Sequence, residues 1–272
     1  MRIDSALLAD QSPSGAQRWA SGVASLDAAL GGGVAYGCIH EAYAAQAADA
    51  AAATGFVIGL TTGMTSHRRE VMWLRWRHSA GRDSPGLGGV LQANGWAELG
   101  GAPGHALCAI IPDIRALLRT AVDALRCPAL GAVIVEGWGQ MRELDLTASR
   151  RLALAAEKSG VPLFLLRIDA PPVPSAARTR WQVAAAPSHA LPGNAPGRPT
   201  FDITLLRQRS GPSGMDWRLE WDRDRRTFLT TTYAAKTLSG VVVSVPPGRT
   251  AGDRAAGDRT PGPVRPDDRR AA

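Results

Sequence analysis

The chain has 272 residues, of which 45% are hydrophobic, so it suits one large domain or two small ones with a substantial core. Its formal net charge is +7, which permits binding to nucleic acid or to an acidic partner without establishing either. No apolar stretch approaches the length that spans a membrane, and the N-terminus lacks the apolar core of a signal peptide, so we expect a cytoplasmic protein with no membrane partner.

Residues 1–36 are a polar lead-in that ends in one short helical turn. Leu26, Ala29 and Leu30 have helical spacing there, and the glycines at 31–33 stop the turn. Apolar runs of strand length follow at 38–43, 71–76, 106–111, 131–136 and 161–167. Helical patterns lie between them near 46–61, at 112–127 and near 146–159. This alternation predicts an α/β fold in which a parallel sheet is covered by helices on both faces.

Two of these helices have clear local signals. The helix at 112–127 is amphipathic, and its apolar face consists of Ile114, Leu117, Leu118, Ala121, Val122 and Leu125. For the helix near 146–159 we predict Asp145 or Thr147 as the N-cap and Gly160 as the stop.

The last strands alternate between apolar and polar residues, unlike the earlier ones. They are predicted at 179–185, 201–209 and 215–222. The sequence SGPSG, at 210–214, joins the last two as an antiparallel hairpin. We therefore predict a core domain over 37–222 that ends in this hairpin.

Residues 223–245 form a flanking segment with two interpretations. It begins with an Arg-rich stretch and then carries Phe228, Tyr233, Leu238 and the β-prone sequence VVVSV. The segment either docks on a partner or is a final strand or helix packed on its own domain. Residues 246–272 are rich in Pro, Gly, Arg and Asp without a core-forming pattern, so we predict a disordered tail.

The first apolar run, CIHEAY, reaches its helix through the turn AAQAADAA at 44–51. A turn that holds nucleotide phosphate needs glycines, which let backbone N–H groups approach the phosphate, together with a lysine and a hydroxyl residue. This turn has none of the three, and the two lysines of the chain, Lys158 and Lys236, lie elsewhere. Asp49 adds a negative charge where phosphate would lie.

Longer stretches of the chain resemble known families. The sequence SLDAALGGGVAYGCIHEAY, at 25–43, resembles the approach to the nucleotide site in RecA and RadA proteins. Three further stretches are DALRCPALGAVIVE at 123–136, DLTASRRLALAAEKSGVPLFLLR at 145–167 and PSAARTRWQVAAAPS at 174–188. Through these stretches the chain, up to about residue 240, resembles ImuA, a RecA-like protein of bacterial mutagenesis cassettes. The resemblance implies a RecA-like, largely parallel sheet flanked by helices.

Aligned with the RecA family, the turn has Ala44 in place of the first glycine and Asp49 in place of the second. Ala50 and Ala51 stand where the family carries the lysine and threonine that bind phosphate and Mg²⁺. The resemblance therefore implies a degenerate phosphate loop, no ATPase activity, no catalytic residues and no cofactor. As an alternative, one of the cations at 67–69 replaces the lysine, although these residues lie beyond the helix.

Several polar residues end or follow the apolar runs, where the carboxyl ends of parallel strands meet and ligands bind. They are Arg75, Arg77, Glu136 and Arg167. Glu136 stands where a RecA-like ATPase carries its metal-binding acid, but without a phosphate loop we favour a structural role. The cluster either binds an acidic, phosphate or base ligand, or its arginines pair with Glu136, Asp113 and Asp169.

The segment PPVPSAARTRW, at 171–181, follows the strand after which RecA-like proteins place a DNA-contacting loop. Arg178, Arg180 and Trp181 form a basic and aromatic group that suits a contact with single-stranded DNA. The alternative is a Pro-rich connection in which Trp181 enters the core while Arg178 stays exposed.

No other constellation in the sequence points to catalysis or metal binding. Neither GxSxG nor HExxH is present, and His40 is predicted to be a hydrogen-bonded core residue. The three cysteines form no CxxC pair and have no histidine at metal spacing, so we predict no metal site. Cys38 and Cys108 lie in or beside apolar runs and are predicted to be buried, inert thiols.

The resemblance to ImuA implies a non-catalytic accessory protein of SOS-induced, error-prone translesion DNA synthesis that acts through protein contacts. Its first implied partner is ImuB, which is an inactive Y-family-like polymerase subunit. The others are an error-prone replicative-type DNA polymerase and, as a further contact, RecA. Weak binding to single-stranded DNA is also expected. Two alternatives stay open: an ATP-independent, DNA-binding RecA paralogue that modulates recombination, and a SulA-like inhibitor of cell division, since that family also resembles RecA without a phosphate loop.

Overall fold

The computed structural model describes residues 17–65, 69–76 and 91–231. Within these ranges the helices are α1 (Ala24–Ala29), α2 (Ala50–Met64), α3 (Ala93–Glu98), α4 (Ile114–Leu125) and α5 (Leu146–Ser159). The strands are β1 (Arg18–Trp19), β2 (Val34–Ala35), β3 (Ile39–Ala44), β4 (Val71–Trp76), β5 (Ala106–Ile111), β6 (Ala132–Trp138), β7 (Leu163–Ile168), β8 (Thr179–Ala185), β9 (Thr200–Gln208), β10 (Met215–Asp222) and β11 (Thr227–Thr230). None of the described helices is long and apolar enough to cross a membrane.

The main sheet of the described residues has nine strands in the order β11-β10-β9-β8-β3-β7-β6-β4-β5. From β8 to β5 all neighbours are parallel, whereas β9, β10 and β11 continue the sheet in antiparallel pairs. Parallel neighbours need crossover connections, and helices α2 to α5 lie in those between β3 and β7. The predicted α/β fold, a largely parallel sheet flanked by helices and extended by a C-terminal antiparallel hairpin, is confirmed.

Apolar side chains are buried on both faces of this sheet. One face carries an aromatic-rich core that includes Phe56, Trp181, Trp221 and Phe228. On the other face, α4 and α5 bury leucines that include Leu117, Leu125, Leu152 and Leu165. The central strands are therefore covered on both sides, which explains why their sequences are continuous apolar runs rather than alternating ones.

Helix α5 has the predicted bounds because local capping decides them. The Asp145 carboxylate accepts a hydrogen bond from the N–H of Ala148 at 2.7 Å, and Gly160 ends the helix with a φ of 78°. Asp113 caps α4 in the same way, because its carboxylate accepts a hydrogen bond from the N–H of Ala116 at 2.7 Å.

Part of the lead-in belongs to the folded unit. Strands β1 and β2 pair with each other, and α1 buries Leu26. The ring of Trp19 lies 6.2 Å from that of Phe228 and packs on α2 at Gly63, where any Cβ atom would collide with the indole. Residues 17–36 thus help to close the aromatic-rich face of the sheet.

The flanking segment also begins inside the fold. Residues Thr227–Thr230 form β11, which pairs with β10 and completely buries Phe228. This beginning agrees with the interpretation in which the segment supplies a final strand. The rest of the segment, including Tyr233 and Leu238, and the predicted disordered tail at 246–272 lie outside the described residues.

Two features beside β4 differ from the sequence prediction. No helix was predicted between the strands at 71–76 and 106–111, yet α3 forms there, and its Trp96 folds inward and packs against Trp73 at a ring distance of 5.7 Å. The predicted burial of Cys108 is wrong, since β5 is the edge strand and the thiol is exposed together with Leu107 and Ile110.

Candidate functional site

The carboxyl ends of the central parallel strands bring several predicted site residues to one edge of the sheet. The turn at 44–51 follows β3, while Arg75 lies on β4, Glu136 on β6 and Arg167 on β7. Arg77, which was predicted for the same group, lies outside the described residues. The structure joins Arg75 to Glu136 and places Arg167 in a separate cluster.

The turn at 44–51 has the backbone of an ordinary strand-to-helix connection. Ala44 ends β3, a 3-10 turn spans Ala47–Asp49, and α2 begins at Ala50, slightly later than predicted. None of residues 44–51 has a positive φ, so the turn lacks the alternating backbone conformation that gathers N–H groups around an anion. Three of its N–H groups already donate to carbonyl oxygens, Ala45 to Val183 at 2.8 Å, Asp49 to Gln46 at 2.9 Å, and Ala50 to Ala47.

Asp49 fixes this turn to the neighbouring strand. Only 6% of the residue is exposed, and its Oδ1 accepts a hydrogen bond from the N–H of Ala185, at the end of β8, over 2.9 Å. The carboxylate therefore lies at the start of α2, where a helix N-terminus would attract a phosphate. Ala50 and Ala51 supply neither an amine nor a hydroxyl group. The residues of this turn do not fit Mg²⁺-ATP.

Glu136 is the centre of a buried polar group that we call the Glu136 cluster, made of Trp73, Arg75, Glu136 and Trp138. The indole N–H groups of Trp73 and Trp138 each donate to its carboxylate at 2.9 Å. A guanidinium nitrogen of Arg75 lies 2.9 Å from the same carboxylate. Both carboxylate oxygens are thus occupied by protein donors, which supports the structural role favoured from the sequence.

A cavity of about 690 Å³ lies between the turn, α2 and the Glu136 cluster. Its walls are mainly apolar and aromatic, and they include Ala47, Ile58, Trp73, Trp96 and Trp138. Arg75 and Glu136 supply its charged groups and already neutralise each other. Such a lining suits an apolar or aromatic group better than a triphosphate.

A second buried group, which we call the Arg167 cluster, consists of Glu41, Tyr43, Arg167 and Arg180. Glu41 and Arg180 form an ion pair at 2.6 Å. The guanidinium groups of Arg167 and Arg180 lie 5.8 and 5.7 Å from the centre of the Tyr43 ring. Burial raises the pKa of the Tyr43 hydroxyl, so this side chain is neutral at physiological pH.

The residues predicted to contact DNA do not share one surface. Trp181 is buried in the core, as the alternative interpretation proposed, and Arg180 is held by Glu41 and by the carbonyl of Val173. Arg178 is partly exposed and lies at the other end of β3, where its N–H donates to Ile39 at 2.8 Å. Arg178 is therefore separated from the turn at 44–51 by the length of the strand.

His40 is a hydrogen-bonded core residue, as predicted from the sequence. Its Nε2 donates to the carbonyl of Ala35 at 2.8 Å, so Nδ1 accepts from the Thr179 hydroxyl at 2.7 Å. Burial lowers the pKa of His40 to about 4, and the ring is neutral at physiological pH. Among the residues that the structure describes, no group of three or more His, Cys, Asp and Glu side chains is placed to hold a metal ion.

Comparison with known proteins decides the family. No protein-family model matches the chain. Two curated relatives, each called Protein ImuA, come from Caulobacter vibrioides strains NA1000 / CB15N and ATCC 19089 / CIP 103742 / CB 15. Each is 32% identical over 199 residues, and the alignment covers 68% of this chain and 75% of the relative. The chain belongs to the ImuA family.

The chain also resembles the solved structure of the RadB recombinase, with a TM-score of 0.49 and 13% identity. That match covers 78% of this chain and 99% of the recombinase.

In this member of the ImuA family, sequence reasoning missed Glu41 and Tyr43 as parts of a polar cluster. Both lie on β3, in a run that otherwise buries apolar side chains. A glutamate inside such a run must find a cation, and this was the available signal. The sequence gave no comparable signal that the partner is Arg180, because 139 positions separate the two residues.

Proposed function

We propose that this ImuA-family protein is a non-catalytic accessory of SOS-induced, error-prone translesion DNA synthesis and acts by holding other proteins. The observation that carries the proposal is the buried Asp49 carboxylate, bonded to Ala185 at the place where ATP-binding relatives need an open phosphate turn. Ala50 and Ala51 offer no amine or hydroxyl group to phosphate or Mg²⁺, and the Glu136 carboxylate is held by Trp73, Arg75 and Trp138, which supports a role without nucleotide hydrolysis. The domain would therefore act through its surfaces, by binding other proteins.

The family resemblance suggests the partners. We propose an ImuB-like inactive Y-family polymerase subunit as the first, together with an error-prone replicative-type DNA polymerase and with RecA as a further contact. The aromatic cavity beside the Glu136 cluster supports a protein partner, because its apolar lining suits a side chain of a bound polypeptide.

The proposal is tested first by isothermal titration calorimetry of the full chain with ATP and Mg²⁺. We expect no saturable heat and no ATP turnover. A matched variant carries the residues that the RecA family has in this turn, through the substitutions Ala44→Gly, Asp49→Gly, Ala50→Lys and Ala51→Thr. It shows whether the turn alone decides if ATP binds. Saturable ATP binding by the unchanged chain that is lost when the turn is altered would overturn the non-catalytic assignment.

A second test addresses the partner directly. The purified chain and an ImuB-like protein from the same organism are mixed and examined by size-exclusion chromatography, with and without ATP. We expect a complex whose formation does not depend on ATP. Absence of a complex under both conditions would count against the proposed partner.

A further inference from the structure

The Arg167 cluster contains an unbalanced charge. Arg167 and Arg180 are both cations, and Glu41 is the carboxylate that lies among them. Tyr43 stays neutral because burial raises the pKa of its hydroxyl. Within the described part of the chain, one positive charge of the cluster is therefore left without a counter-ion in a buried position, which is an unfavourable arrangement unless an anion joins it.

The unbalanced charge is located on Arg167. Only 2% of this residue is exposed, yet its Nε and Nη1 atoms have no hydrogen-bond partner among the residues that the structure describes. Its remaining nitrogen donates to the carbonyl of Gly139 over a long 3.4 Å. Arg180, in contrast, is satisfied by Glu41, Val173 and Ser175. Buried donors without partners are uncommon in folded proteins, and they indicate a ligand or bound solvent.

Arg167 lines a cavity of about 510 Å³ between the loops that follow β6 and β7. The walls contributed by Met141, Leu144, Val173 and Pro174 are apolar. Arg142 lies at the same cavity and is exposed. The cavity thus combines the cation of Arg167 with apolar side walls. The loops that form it follow directly from the central strands β6 and β7.

We propose that this cavity binds the carboxylate of an aspartate or glutamate that a partner protein presents between apolar residues. The inference rests on the proposed function in one respect, namely that the ligand is a protein. The carboxylate accepts from the two unpartnered nitrogens of Arg167 and supplies the missing counter-charge, while the neighbouring apolar side chains of the partner contact the cavity walls.

A nucleic acid strand fits this cavity less well. Non-specific binding of single strands uses a track of exposed cations and stacking aromatic rings, whereas the described residues of this lining include two arginines and no aromatic ring. The Asp145 carboxylate also lies in the lining, where it caps α5, and it would repel a run of phosphates more than a single carboxylate.

The test uses the full chain labelled with ¹⁵N and follows the Nε–H signal of Arg167. The probes are two blocked tripeptides, one with Asp between two leucines and one with Asn in its place, and a dT oligonucleotide. We expect a saturable shift with the Asp peptide and binding at least about ten-fold weaker with the Asn peptide. The oligonucleotide is expected to leave this signal unchanged.

Two variants separate a binding role from a structural one. Arg167→Met removes the charge but keeps an apolar side chain, so it should abolish selective binding of the Asp peptide without lowering the urea midpoint. Arg150→Met, at an exposed position of α5 outside the cavity lining, is the matched control and should leave the binding unchanged. If Arg167→Met does not fold, the comparison of the Asp and Asn peptides on the unchanged chain decides.

The proposal is overturned if both peptides bind equally, if neither binds, or if only the oligonucleotide shifts the Arg167 signal. None of these results affects the non-catalytic assignment, which depends on the turn at 44–51 and fails only if ATP binds there. The two hypotheses can therefore fail separately.

Discussion

The carboxylate of Asp49 accepts a hydrogen bond from the backbone N–H of Ala185 over 2.9 Å. This bond joins the start of α2 to the carboxyl end of β8. The turn therefore keeps its shape through an internal anion rather than a bound one.

We expect Asp49→Ala to lower the free energy of unfolding by about 1–3 kcal/mol, because the N–H of Ala185 loses its partner in a buried site. Asp49→Asn should cost less, since the amide oxygen still accepts that bond and the amide nitrogen replaces the buried, unpartnered Oδ2. Urea denaturation of the two variants measures the difference. Equal losses for both variants would show that the hydrogen bond does not hold the turn.

The second prediction concerns Glu136. Removal of a structural carboxylate lowers stability whether or not Mg²⁺ is present, whereas removal of a metal ligand lowers it only in the presence of Mg²⁺. In Glu136→Ala, two indole N–H groups and the Arg75 guanidinium lose their acceptor, so we expect a loss of about 3–5 kcal/mol of stability. The loss should be the same with and without Mg²⁺. Glu157→Ala, on an exposed position of α5, is the control and should cost less than about 0.5 kcal/mol. A stability loss that appears only when Mg²⁺ is present would instead indicate a metal site.

The strands and the capped helices could be predicted from sequence because their signals are local. The bounds of α5 follow from Asp145 and Gly160, and the apolar runs of β6 and β7 follow from burial on both faces. Whether a residue on an edge strand is buried depends on the order of the strands in the sheet, which local sequence does not determine. Cys108 lies in a run as apolar as its neighbours, but strand order places β5 at the edge of the sheet and leaves the thiol exposed.

The residues of the candidate site and one of its ion pairs could be predicted from the sequence, but the partner of Arg180 could not. The loss of glycine, lysine and hydroxyl residues from the turn is visible in the sequence, and Arg75 pairs with Glu136 as one interpretation proposed. The sequence does not show that Arg180 turns inward to Glu41 while Arg178 lies near the opposite end of β3. Strands β7 and β8 are both parallel to β3, so the chain returns from the carboxyl end of β7 to the amino end of β8. Arg178 lies at that amino end, away from the turn at 44–51.

The buried ring of His40 predicts how stability depends on pH. Its pKa falls from 6.5 to about 4 on folding, so in this interval the unfolded chain binds a proton that the folded chain does not. The contribution of the neutral His40 ring to the free energy of unfolding is fully present above about pH 6.5. It is lost as the pH falls toward 4, and the loss is at most about 3 kcal/mol.

The measurement is the pH titration of the His40 ring signals by NMR, combined with urea denaturation at neutral pH and near pH 5. We expect the ring to remain neutral until the chain approaches acid unfolding. His40→Gln, which cannot titrate, should show a smaller loss of stability over the same interval. A His40 titration near the usual value for histidine would contradict the prediction.

Arg178 and Arg180 should now behave differently in DNA binding. We expect weak binding of a dT oligonucleotide that falls steeply with salt, and Arg178→Ala should reduce the salt slope by about 0.7. Arg180→Ala leaves Glu41 buried without its cation, so its effect should come from a loss of about 3–5 kcal/mol of stability. Fluorescence anisotropy across salt concentrations and urea denaturation separate the two effects. Tight binding that does not respond to salt would contradict this view of DNA contact.

The flanking segment gives the last prediction, which depends on where the chain is cut. Truncation after residue 222 removes β11 and with it Phe228, whose ring lies 4.8 Å from that of Trp221 and 5.5 Å from that of Phe56. Loss of a buried Phe side chain alone costs about 3–5 kcal/mol, so we expect this variant to unfold or aggregate whatever its effect on partners.

Truncation after residue 231 keeps β11 and removes only residues that follow the described part of the fold. We expect this variant to melt like the full chain by circular dichroism, which makes it the proper test of whether residues 232–245 bind a partner. In capture experiments with the ImuB-like protein, we expect truncation after 245 to retain the complex and truncation after 231 to lose it, because the β-prone VVVSV sequence lies between the two cuts. If the folded 231 variant captures the partner as well as the full chain does, residues 232–245 have no part in the interface, and the contact lies on the nine-stranded domain.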